Sequence, residues 1–264
     1  MRADQLLFQR GLATSRSQAV RLIDAGARYL HRGEWKTLRK SDDLFEDVQI
    51  ELADVAEAKY VSRGGLKLEG ALATCKLNVQ GKVCLDVGQS TGGFTDCLLQ
   101  HGARGVVGID VGQGQLHPRL RASEQVICIE KLNARTLIAT DLIAASAEYT
   151  WSDGLFDRKN ELNFGVDLIV GDVSFISQTL VIQALVDLLK PCGNWLMLVK
   201  PQFELQPEQI GKGGIVKDAA HYAQVEQRIR NAYEAFGLQV KNYFESPIAG
   251  GDGSREFFVH AAKT

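Results

Sequence analysis

The chain has 264 residues, 45% hydrophobic and 23% charged, with 30 Lys and Arg against 32 Asp and Glu. That length holds one or two domains with a real core, and that hydrophobic fraction excludes wholesale disorder. Twenty-six glycines against five prolines suit an α/β protein with tight turns, and a net charge of −2 over the whole chain points away from a nucleic-acid partner.

The start, Met1-Arg2-Ala3-Asp4-Gln5, has no apolar segment of the kind a secretory signal needs, and no run reaches the roughly 18 apolar residues of a membrane helix. The five cysteines (Cys75, Cys84, Cys97, Cys128, Cys192) form no CxxC pair and read as buried, reduced core residues of a cytoplasmic protein. The five histidines do not cluster, so no metal site is expected.

Charge is unevenly spread. Residues 1–40 hold nine Lys and Arg against Asp4, Asp24 and Glu34, a net of +6, and residues 41–58 hold seven acids and no Lys or Arg. A small basic module is therefore expected, closed by an acidic strand and a linker near Ala53–Lys59. Asp4–Arg10 reads as a short helix ended by Gly11. Ser15 is an N-cap, with Gln18 completing a capping box, and the second helix runs to Asp24–Ala25 with Gly26 just past its end. Tyr29–His31 reads as a strand, Arg32-Gly33-Glu34 as a turn, and alternating Val48, Ile50 and Leu52 as a later strand. Arginines on a helix are ordinarily a solvated face. Seven of the nine basic residues here are Arg, which suits bidentate phosphate contacts, so Arg2, Arg10, Arg16, Arg21 and Arg28 are candidate nucleic-acid ligands.

Beyond residue 59, apolar runs of strand length fall at Val83–Val87, Gly105–Asp110, Gln125–Glu130, Val166–Asp172, Trp195–Lys200, Val240–Phe244 and Glu256–Ala261. Helical patterns lie between them at Thr95–Gln100, Ser177–Leu189 and Ala219–Phe236. The alternation predicts an α/β, doubly wound, mostly parallel sheet with ligands at the carboxyl ends of its strands. Trp151–Phe164 is polar and without period, as expected of an inserted surface loop.

The strongest motif is Leu85-Asp86-Val87-Gly88-Gln89-Ser90-Thr91-Gly92-Gly93-Phe94-Thr95, a strand entering a glycine turn and then a helix. It is neither a P-loop nor a clean GxGxxG. Asp86 and Asp110 at successive strand ends suit a cationic nucleoside such as S-adenosylmethionine better than a dinucleotide. Three further charges sit at strand ends: Asp172, Lys200 and Glu256. Asp172 and Lys200 emerge on one sheet edge, and Glu256 joins them if the last strand is antiparallel. A lysine flanked by carboxylates can act on a hydroxyl as base or by stabilising the alkoxide, the former only if desolvated or beside a second cation. Singly, each is an ordinary salt-bridge residue. Lys67, in Tyr60–Leu68, reads by itself as a solvated helix residue. Gly211–Asp218 is a basic, glycine-rich loop, either a lid, an RNA contact or only a loop.

In this order the pieces resemble the TlyA family, ribosomal-RNA 2′-O-methyltransferases often named haemolysins. Gly11–Arg16 and Leu22–Gly26 are similar to the family's amino-terminal alpha-L RNA-binding domain, although Tyr29-Leu30-His31 stands in place of its valine-rich strand. Val61–Leu68, Asp86–Thr95, Asp110–Leu116, Asn133–Arg135, Asp172–Ser177, Val199–Glu204 and Gly211–Val216 are similar to an FtsJ-type methyltransferase domain. The resemblance implies an RNA-binding domain over residues 1–58 and a Rossmann-like, seven-stranded methyltransferase domain over 59–264. It implies S-adenosylmethionine as cofactor, held by Asp86, Gly88, Ser90, Thr91, Gly92, Gly93, Phe94, Asp110 and Asn133. It also brings Lys67 into a catalytic tetrad with Asp172, Lys200 and Glu256, acting on a ribose 2′-hydroxyl of ribosomal RNA, with cytidine the implied nucleoside. Membrane-active haemolysin and catalytically silent ribosome-assembly factor are the competing classes.

Overall fold

The computed structural model describes residues 1–13, 15–52, 59–146, 165–250 and 253–263. The chain divides into two compact units, Met1–Leu66 and Lys67–Thr264.

The first unit opens with helices α1 (Ala3–Gln9) and α2 (Arg16–Asp24). Ser15 caps α2, its side chain accepting from Gln18 N at 3.1 Å. Gln18 Nε2 donates to Tyr60 O at 3.1 Å, tying α2 to the end of its own unit. Gly26, at φ +101°, takes the left-handed position that stops the helix. Strands β1 (Arg28–His31), β2 (Glu34–Thr37) and β3 (Ile50–Glu51) form an antiparallel sheet in the order β2-β1-β3. The expected turn is only Arg32-Gly33, at φ +52° and +86°, the two-residue geometry a twisted hairpin favours. The strand after it, β2, carries no apolar alternation because it is an edge strand exposed along its length. Leu6, Leu7, Ala19, Leu22, Ile23 and Leu38 make a separate small core.

Helix α3 (Gly64–Cys75), which the sequence reading did not single out, leads into the second unit. There follow β4 (Val83–Val87), α4 (Gly93–Gln100), β5 (Gly105–Ile109), α5 (Pro118–Arg121), β6 (Val126–Ile129), α6 (Ala139–Ser146) and β7 (Val166–Gly171). The chain ends through α7 (Ile182–Val186), β8 (Leu189–Val199), α8 (Ala220–Ala235), β9 (Leu238–Glu245) and β10 (Phe257–Lys263). The seven-stranded sheet has the order β6-β5-β4-β7-β8-β10-β9. The pairs from β6 through β8 are parallel, and β10 is antiparallel to both β8 and β9. β4 and β5 are buried at every residue, the signature of a parallel sheet covered on both faces.

Two expectations need correction. The single helix over Ser177–Leu189 is a 3-10 turn (Gln178–Leu180) followed by the short α7, and Leu189 already belongs to β8. Lys263 Nζ donates to Val186 O and Leu189 O at 2.7 and 2.9 Å, satisfying carbonyls that a longer helix would have used internally. Among the cysteines only Cys84 and Cys97 are buried. Cys75 and Cys128 are half-buried and Cys192 is exposed. Most of the expected linker (residues 53–58) and the whole of Trp151–Phe164 lie outside the described residues.

Candidate active site

The carboxyl end of β4 opens the glycine turn. Gly88 has φ +80°, and a Cβ there would stand 2.9 Å from Asp172 O, so the turn passes against the backbone leaving β7 as only glycine can. Asp110, just beyond β5, stitches the turn to the next loop: its Oδ2 accepts from Ser90 N and its Oδ1 from Gly112 N, both at 2.7 Å. Each oxygen keeps lone pairs for a ligand. Ser90 Oγ donates to Gln115 Oε1 at 3.2 Å across the same opening.

A cavity of about 500 Å³ lies there, within the usual range for small-molecule sites. Gly88, Ser90, Asp110, Asn133 and Asp172 line it, together with Val173–Ile176. Gln115, Leu132 and Ala134, which the sequence reading did not assign, also line it. Asp86, Thr91, Gly92, Gly93 and Phe94 stand behind that wall rather than in it. Phe94 is a core residue, stacked on Phe258 at 6.2 Å. Asp86 is 1% exposed. Its Oδ2 accepts from Thr95 Oγ1 at 2.7 Å, Thr95 in turn accepts from Gln89 Nε2 at 2.9 Å, and Asp86 Oδ1 has no partner among the described residues. Burial pushes this carboxyl up to about 7. The Thr95 hydrogen bond opposes the shift, and the charges of Asp172 and Asp110 add to it.

Sheet register collects three of the four charged candidates, and helix α3 brings the fourth. Val87 pairs with Gly171, Gly171 with Met197, and Val199 with Phe257. Asp172, Lys200 and Glu256 each stand one residue beyond those strands, on one edge, because β10 runs antiparallel. Lys200 Nζ is 2.5 Å from Asp172 Oδ1 and donates to Ser174 Oγ at 2.8 Å. Lys67 projects from the first turns of α3, where Leu68, Ala71 and Leu72 turn the helix toward the core. It is not a solvated residue: its Nζ donates to Glu256 Oε2 at 2.5 Å, with both residues buried. The site thus contains two lysine–carboxylate pairs, one of them beside the cavity and one buried.

In the first unit the candidate arginines are partly committed. Arg2 pairs with Asp4 at 3.1 Å, Arg10 donates to Val48 O at 2.5 Å, and Arg28 pairs with Glu51 at 2.6 Å. Arg28 also lies over the exposed Trp35 ring at 5.9 Å, a cation–π distance. Arg16 is exposed, Arg21 half-buried. Among the described residues no helix is long and apolar enough to cross a membrane.

A family model described as FtsJ-like methyltransferase matches residues 60–263. The 16S/23S rRNA (cytidine-2′-O)-methyltransferase TlyA of Mycobacterium tuberculosis is 35% identical, over 98% of this chain and 88% of its own. Hemolysin A of Brachyspira hyodysenteriae is 35% identical, over 98% of this chain and 99% of its own. Among solved structures, one from Streptococcus thermophilus that carries a hemolysin name superposes with a TM-score of 0.72 at 36% identity, covering 100% of this chain and 88% of that one.

Proposed function

As the chain belongs to the FtsJ-like methyltransferase family, we propose that it transfers the methyl group of S-adenosylmethionine to a ribose 2′-hydroxyl of ribosomal RNA, at a cytidine. The observation that carries this reading is the Lys200–Asp172–Ser174 cluster: Asp172 and Ser174 line the 500 Å³ cavity, and the Lys67–Glu256 pair shares its sheet edge. The specific substrate named for the M. tuberculosis relative supports the choice of RNA and nucleoside.

The cavity fits the cofactor. Asp110 offers lone pairs to two ribose hydroxyls, Gly88 lets the ligand approach the backbone, and the apolar wall of Leu132, Val173 and Ile176 suits a purine. A bound sulfonium or ammonium would favour the ionised form of the Asp86 carboxyl behind the turn, which burial alone disfavours. When bound, S-adenosylmethionine supplies an electrophilic methyl on positively charged sulfur. Everything else falls to the protein. Lys200 donates one N–H to Ser174 and stands in an ion pair with Asp172, which leaves N–H donors for the ribose oxygen. Such a lysine would stabilise the developing alkoxide while the hydroxyl proton passes to the carboxylate of Asp172. The methyl's bond to sulfur breaks as its bond to oxygen forms, and the sulfur would leave as a neutral thioether. Lys67 and Glu256 would position the ribose hydroxyl toward the transferable methyl, and such alignment supplies much of the rate.

Residues 1–58 act as the RNA-binding domain and 59–264 as the methyltransferase domain, and the enzyme works where ribosomes are, in the cytoplasm. The +6 charge of residues 1–40 supports this. Arg2, Arg10, Arg16, Arg21 and Arg28 reach phosphates from their present positions by exchanging or sharing their partners. Purified protein, tritiated S-adenosylmethionine and ribosomal subunits lacking 2′-O-methylation test the reading. Label should appear in 2′-O-methylcytidine of digested RNA, and absence of label from both subunits would overturn it.

A further inference from the structure

The loop leaving β7 has to be held in place by something outside itself. It brings Asp172 and Ser174 onto Lys200 and forms one wall of the cavity with Val173–Ile176. Yet its own geometry is unfavourable. Phe175, 92% exposed, sits at φ +62°, the left-handed region that is unfavourable for a non-glycine residue.

We propose that Glu204 is the positioning residue for this loop, holding Asp172 and Ser174 against Lys200 by gripping Ser177 and Gln178 at the loop's far end. Glu204 is 4% exposed. Its Oε2 accepts from Ser177 Oγ at 2.5 Å and its Oε1 from Gln178 N at 2.8 Å. Both are charge-assisted bonds in a buried site, the strong kind. Burial raises the Glu204 carboxyl, and these two bonds oppose the rise. Glu204 is also tied to the lysine itself. It closes the 3-10 turn Pro201–Phe203 that starts at Lys200, with Glu204 N donating to Pro201 O at 3.0 Å. One short segment therefore places the amine at its start and, at its end, the loop that receives the amine.

The grip is anchored further back. Arg228 of α8 donates to Glu204 O at 2.7 Å. The Tyr233 hydroxyl, also from α8, donates to Gln178 Oε1 and accepts from Trp195 Nε1 of β8 at 2.7 Å. Helix α8 and strand β8 thus hold both sides of the clamp. A carboxylate used only for stability would not need to join the two segments that meet at Lys200.

The inference rests on the proposed methyl transfer at Lys200, and its test is arranged so that the two can fail separately. Hydrogen exchange of peptides covering residues 172–178, measured without substrate, should show faster exchange in Glu204→Ala and near-normal exchange in Glu204→Gln, which keeps an acceptor for Gln178 N. Steady-state methylation should show kcat lowered roughly 100-fold in Glu204→Ala, the loss expected from a displacement of about 1 Å. The Kd for S-adenosylmethionine should change far less. Adding Glu204→Ala to Lys200→Ala should bring no further loss, because both act on one step. Should Glu204→Ala not fold, Ser177→Ala removes one of the two bonds and is expected to lower kcat about tenfold. Unchanged exchange at 172–178, wild-type kcat in Glu204→Ala or Ser177→Ala, or losses that multiply with Lys200→Ala would each overturn the proposal. A wild-type protein that methylates no RNA would overturn the proposed reaction instead, with the exchange result still deciding whether Glu204 holds the loop.

Discussion

Replacing Asp86 by Asn tests the electrostatics of the glycine turn. Asp86 lies 1% exposed in a strand buried at every position; among the described residues it accepts from Thr95, and Oδ1 has no partner. Burial lifts its carboxyl from an ordinary 3.8 to about 7. The unfolded chain releases this proton near pH 4, whereas the folded one keeps it until about pH 7. Below pH 4 both states are protonated and the group contributes nothing. As pH rises through the window the fold binds the extra proton, so stability falls, and above pH 7 the whole penalty remains. Three units at about 1.4 kcal/mol each make that penalty roughly 4 kcal/mol. Asparagine has the shape of the neutral acid and does not titrate. Asp86→Asn should therefore match the wild type at the acid end and exceed it progressively, by up to roughly 4 kcal/mol, toward pH 8. Urea unfolding at pH 5, 6, 7 and 8, read by hydrogen exchange of peptides covering Val83–Val87, measures the difference in this unit alone. Parallel stability profiles for the two proteins would refute the reasoning.

Three further outcomes follow from the geometry. Lys67→Met leaves Glu256 buried without its partner at 2.5 Å, and should cost about 3–5 kcal/mol in urea unfolding, much of it recovered when Glu256→Gln is added. Tyr233→Phe removes the hydroxyl shared by Trp195 and Gln178. With Trp195 Nε1 left buried and unpaired, it should cost about 1–3 kcal/mol by the same measurement, without lowering affinity for S-adenosylmethionine. Binding of ribosomal RNA should weaken steeply with salt, and Arg16→Ala, at an exposed position, should reduce the slope of log K against log salt by about 1.

Much of the second unit was legible because its central strands, such as β4 and β5, are buried on both faces, so their apolar runs stand out against polar connections. The strand-end charges were legible for the same reason: Asp172 and Lys200 each follow an uninterrupted apolar stretch. Whether Glu256 joined them depended on the direction of β10, which pairing with β8 decides and no local pattern records. Lys67 looked like any lysine on a helix, since the glutamate that buries it lies 189 residues away in sequence. The edge strand β2 was missed because it has no buried face to impose alternation. Glu204 falls in the Val199–Glu204 block, but nothing local gave it a role: what makes it a clamp is the approach of Ser177 and Gln178 from the preceding strand-to-helix connection. In the first unit, composition revealed a basic surface but not that Arg2, Arg10 and Arg28 are already bonded to Asp4, Val48 and Glu51.

The central claim is that Lys200, held by Asp172 and Ser174, acts on a ribose hydroxyl of RNA. The most direct measurement compares wild type with Lys200→Ala for transfer of tritium from S-adenosylmethionine into ribosomal RNA, with cofactor binding measured in parallel. The claim predicts labelled 2′-O-methylcytidine from the wild type, loss of label in Lys200→Ala, and nearly equal cofactor affinity in both proteins. Label retained in Lys200→Ala, or found on a base rather than a ribose, would contradict it.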